Sequence, residues 1–93
     1  MMPDTPTDAH TLALMALAAT LADERRAQRF LDLTGIGTEQ LRQTADDTAL
    51  LLALMGFLEA HEPDLVAVSD MVGVQPDALV AARRTLESSR EKQ

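Results

Sequence analysis

Residues 47–61 read Asp47-Thr48-Ala49-Leu50-Leu51-Leu52-Ala53-Leu54-Met55-Gly56-Phe57-Leu58-Glu59-Ala60-His61, and from Leu50 to Leu58 the run is apolar on nearly every side of a helix. A helix with no polar face has to be surrounded by other elements, so this segment reads as the buried centre of the molecule. At roughly ten residues it is too short to cross a bilayer. What surrounds it is helical as well. The 93 residues include fifteen Ala and fifteen Leu against five Val and one Ile, so the apolar material consists of helix formers rather than strand formers.

Outward from that centre, Thr7 and Asp8 can cap a first helix running to about Leu21, with stripes at Leu14, Leu17 and Leu21 and at Leu12, Met15, Ala16 and Ala19. Asp23 is suited to cap a second, which turns Ala27, Phe30 and Leu31 inward, leaves Arg25, Arg26 and Arg29 to solvent, and stops at Gly35. Thr38 can cap a short third helix with Glu39 in its first turn and Leu41 as its apolar anchor. Pro63 fits the first position of a fifth that ends at Gly73, and Pro76 starts a sixth continued by Leu79, Ala82, Arg83 and Leu86.

Sliding the chain against itself by 38 positions sets Gly35-Ile36 on Gly73-Val74, Leu12 on Leu50, Leu14 on Leu52, Asp32 on Asp70 and Leu41 on Leu79. The expected architecture is therefore all-α: a compact bundle of five to six short helices, arranged as two similar three-helix halves that share one core. Residues 8–87 form the single domain, 1–7 a flexible N-terminus and 88–93 a frayed tail.

Fifteen Asp and Glu against eight Lys and Arg give a formal net charge of −7, which repels nucleic acid and anionic lipid at long range. No cysteine is present, which removes thiolate chemistry and disulfides. The acidic start and the shortness of every apolar run argue for a cytoplasmic protein. His10 and His61 have no nucleophile or acidic partner at a spacing that suggests catalysis, and His61 reads as a helix C-terminal residue stabilised by the dipole. Asp46-Asp47 reads as a loop and cap rather than a metal site. No enzyme activity, cofactor or metal is expected. Val68-Ser69-Asp70-Met71 lacks the order of an acyl-carrier attachment motif, and Ser69 lies inside a helix.

Two binding roles remain. Helices apolar all round leave a surplus for a partner protein or a second copy to cover, with Met55, Phe57 and Leu58 as the candidate surface. The alternative is a nucleic-acid-associated regulator. Residues 65–86 have the helix–glycine turn–helix spacing of bacterial helix-turn-helix proteins, and Arg83, Arg84 and Arg90 would be its phosphate contacts. The start of its second helix, Gln75-Pro76-Asp77-Ala78, offers no basic group.

Finally, Ala13 to Arg25, then Arg29-Phe30-Leu31-Asp32-Leu33-Thr34-Gly35, Phe57-Leu58 and Glu62-Pro63 resemble a family of short uncharacterised bacterial proteins classed as a domain of unknown function. The resemblance spans about residues 12–87. It implies an all-helical fold and a bacterial cytoplasmic origin, and it transfers no residue role.

Overall fold

A computed structural model describes the backbone of residues 9–91 and the side chains of residues 9–88; the expected flexible N-terminus, 1–7, lies outside the described residues. Six helices follow one another: α1 (Ala9–Leu21), α2 (Glu24–Thr34), α3 (Thr38–Gln43), α4 (Thr48–Glu59), α5 (Glu62–Val72) and α6 (Pro76–Glu91). The segment read as a frayed tail is thus helical as far as Glu91.

Local chemistry explains most boundaries. Asp23 accepts from the Arg26 backbone N–H at 2.9 Å, and Asp47 from that of Ala49 at 2.7 Å, so both cap donors that a helix start leaves unpaired. Gly35 and Gly73 end α2 and α5 at φ 73° and 90°, the left-handed region where a side chain costs energy. Two starts differ from expectation by one residue. Gly37 rather than Thr38 precedes α3, without a side-chain cap, and α5 begins at Glu62 behind His61, so Pro63 is its second residue. Pro is tolerated there because no N–H in the first turn has an intrahelical acceptor.

The 38-residue register governs packing as well as turns. α1 buries Leu12, Ala13, Ala16, Leu17, Ala19 and Thr20; α4 buries Leu50, Leu51, Leu54, Met55, Phe57 and Leu58, the same six positions shifted by 38. Phe30 and Val68 correspond and are both buried, as are Leu41 and Leu79. α1 and α4 pack on each other and share α5 and α6 as neighbours. At four of the six positions α1 carries the smaller partner, Ala13, Ala16, Ala19 and Thr20 facing the roles of Leu51, Leu54, Phe57 and Leu58. Small against large lets two central helices meet without overfilling the space between them. The Thr20 hydroxyl, fully buried, donates to the Ala16 carbonyl at 2.8 Å and is not left unpaired.

The halves diverge in their third helices. α3 has six residues and α6 sixteen, and α6 lies along α1, α4 and α5 while α3 contributes one buried anchor, Leu41. Among the described residues no single helix is long and apolar enough to cross a membrane.

Candidate functional site

Asp64, in the first turn of α5, is the one buried carboxylate among the described residues, 4% exposed. A carboxylate taken out of water has to be paired, and three side chains converge on it. Arg26 Nε donates to Oδ1 at 3.0 Å, Arg29 Nη2 donates to Oδ2, and His61 Nδ1 donates to the same Oδ2 at 3.0 Å. An ionised carboxylate only accepts, so Nδ1 carries the imidazole proton and Nε2 is left pointing away from Asp64. The His-x-x-Asp spacing at a helix start was therefore a partnership: His61 has an acidic neighbour three residues on, and it stands between the end of α4, where the Leu58 carbonyl accepts its backbone N–H at 3.2 Å, and the start of α5.

Asp64 also sets where Arg29 lies. With one nitrogen on the carboxylate, the guanidinium stands 5.8 Å above the centre of the Phe57 ring, within cation–π range. Phe57 in turn meets Phe30 edge to face, ring centres 5.5 Å apart. Beside this stack a cleft of about 540 Å³ opens between α2 and α4, walled by Leu33, Thr34, Ala53, Phe57 and Ala60, with Arg29 and His61 at its edge. Its wall is apolar with a few polar groups on one side, the composition of binding pockets in general.

The register explains the opening. Ala53 and Leu33 in the α2–α4 wedge correspond to Met15 and Met71 in the α1–α5 wedge, where the helices pack more closely. Ala53 is far smaller than its counterpart Met15 and leaves more of its wedge open.

The proposed partner surface needs correcting. Met55 and Leu58 are 1% and 0% exposed, core residues that offer no surface, and Phe57 at 8% contributes only the part that faces the cleft. α4 turns its large side chains toward its neighbours and presents Ala49, Ala53, Gly56 and Ala60 outward. The exposed large apolar residues lie elsewhere, Leu33 most of all at 74%, then Met71, Val66, Met15 and Leu21. That outward stripe was visible in the sequence as the small residues spaced four, three and four apart.

In the segment read as a helix-turn-helix, α5 and α6 meet at a bend of 96°. Its charge is spoken for. Arg83 Nε donates to Glu59 at 2.6 Å and Nη1 to Glu87 at 2.7 Å, and the Glu59 bond raises the guanidinium pKa above its ordinary value. Arg83 thereby ties α6 to α4. Arg84 is exposed, and the Arg90 side chain lies outside the described residues. Ser69 is buried and donates to the Leu65 carbonyl at 2.7 Å.

These features define an all-α bundle in which a buried carboxylate holds two arginines and a histidine beside an apolar cleft. The chain belongs to the family described as "Protein of unknown function (DUF3572)", whose family model matches residues 6–89. No curated protein and no solved structure shows significant similarity to it.

Proposed function

We propose that this protein is a small interaction module without catalysis, and that it holds a partner protein at the cleft between α2 and α4. One observation carries the reading: Leu33, 74% exposed, stands on the wall of a cleft of about 540 Å³. Single exposed leucines are common, but one that borders an apolar hollow extends a surface another protein can cover. The cluster around Asp64 fixes the position of Arg29 and His61 next to it, and preorganised polar groups beside an apolar anchor are what a specific interface uses. Following the family resemblance, we take its setting to be the bacterial cytoplasm.

Placing the photo-crosslinking residue p-benzoylphenylalanine at position 33 tests this in cells that produce the protein naturally. Irradiation should give one dominant protein adduct from position 33 and none from the exposed control position Thr85 on α6. Equal adducts from both positions, or none from either, would overturn the reading.

A further inference from the structure

We infer that the segment received by the α2–α4 cleft presents a carboxylate beside an apolar side chain, the apolar group resting on Ala53 and Phe57 and the carboxylate on Arg29. This rests on the interaction reading above and adds the chemistry of the partner.

The charge argument is local. The chain as a whole is acidic, yet Arg25, Arg26 and Arg29 on α2 are three of its eight Lys and Arg residues. At physiological salt, charges are screened within about 8 Å, so a docking group responds to what lines the cleft and hardly to the total. Arg26 is held between Asp64 and Asp23, at 3.0 and 3.8 Å, while Arg29, 47% exposed, meets Asp64 alone and is the cationic group at the edge of the cleft. The other carboxylates at hand are engaged: Asp23 accepts from the Arg26 backbone N–H at 2.9 Å, and Asp32 from Gln28 Nε2 at 2.9 Å.

The donors are also available. Arg29 is 47% exposed and gives one nitrogen to Asp64; its remaining N–H groups have no partner among the described residues. Arginine binds carboxylates through paired N–H groups on a planar fork, and here the plane is already fixed by Asp64 and the Phe57 ring. His61, 55% exposed, holds Asp64 through Nδ1 and so helps to fix the carboxylate on which Arg29 is seated. An apolar occupant alone would leave the Arg29 donors partly desolvated without an acceptor, which costs more than it gains. A carboxylate answers that loss, and the neighbouring hollow accounts for the apolar group beside it.

The experiment is selection of random twelve-residue peptides displayed on phage against the immobilised full chain, with Leu33→Asp as counter-selection because that exposed site leaves the core untouched. Enriched peptides should carry Asp or Glu within one turn of Leu, Ile, Met or Phe. In the best of them, changing that Glu to Gln should weaken binding about tenfold on the parent protein and much less on Arg29→Met. The amide swap alters only the peptide, so it holds even if Arg29→Met folds poorly. Enriched peptides that lack the carboxylate, or bind equally well as the amide, overturn this inference and leave the interaction reading standing. Enrichment that Leu33→Asp does not remove, or no enrichment at all, overturns both.

Discussion

Arg26 and Asp64 occupy the same position in the two halves of the chain, and their side chains are bound to each other at 3.0 Å across α2 and α5. Equivalent positions touch when an approximate twofold axis runs between them, as in a symmetric dimer interface. One half supplies the cation and the other the anion, so a contact that identical halves would make repulsive becomes attractive. The same carboxylate then takes Arg29 and His61 as well.

Removing Asp64 should therefore cost more than removing either single arginine. Asp64→Ala leaves Arg26, which is only 16% exposed, with Asp23 at 3.8 Å as its remaining partner, and is expected to destabilise the fold by about 3 kcal/mol, the low end for broken buried pairs because Arg26 keeps Asp23 and Arg29 keeps its water. Replacing both residues, as Arg26→Met with Asp64→Ala, should recover part of that loss. Urea denaturation of the four proteins of this cycle measures it, and equal losses for Asp64→Ala and the double variant would refute the account.

The small-against-large packing of α1 on α4 predicts a contrast between two alanines. Ala16 is fully buried, so Ala16→Leu should overfill the centre and cost about 1–3 kcal/mol. Ala53 points outward, and Ala53→Leu should change stability by no more than about 0.5 kcal/mol while filling the cleft. Leu54→Ala, at a fully buried site, should cost about 2–5 kcal/mol. Thermal melts of the three separate the cases.

Among the glycines, conformation alone decides the sign. No atom lies within 4 Å of a methyl group built at Gly73 or at Gly56. Gly73→Ala is nevertheless expected to lose about 1–2 kcal/mol, because φ is 90° there. Gly56→Ala, within α4, should gain roughly 0.5–1 kcal/mol. A gain at position 73 would contradict the assigned turn.

Asp23 gives the fold an acid-sensitive cap. Its carboxyl is held below the ordinary 3.8, chiefly by the Arg26 backbone N–H that it accepts. A depressed folded-state pKa stabilises the protein fully above the unfolded value and loses that effect as pH falls through the folded one. Asp23→Asn should therefore melt lower than the parent near pH 7, with the gap closing below about pH 4. Melting temperatures across pH 2–7 give the comparison; a gap that widens in acid would reverse the sign and remove the argument.

Six helices and the 38-residue repeat could be read from the residues because their signals are local or repeated: Asp23 and Asp47 as caps, Gly35 and Gly73 as left-handed stops. Burial on α4 was harder. A helix apolar on every side carries no amphipathic stripe to mark its outward face, so Met55, Phe57 and Leu58 looked as available as Ala53. Only size distinguishes them, since a packed core claims the large side chains first. Asp64 was missed for another reason. Two of its three partners come from α2, 35 and 38 residues away, and no spacing along one helix announces a pair made across two.

The long α6 has a consequence for how the chain folds. α1, synthesised first, has its most extensive contact with α6, synthesised last. A contact between the first and the sixth helix closes the longest loop in this fold, and the entropy cost of that loop is recovered only once α6 is in place. Because α6 packs on α1 from one half as well as on α4 and α5 from its own, it belongs to the core of both halves and joins them into one unit.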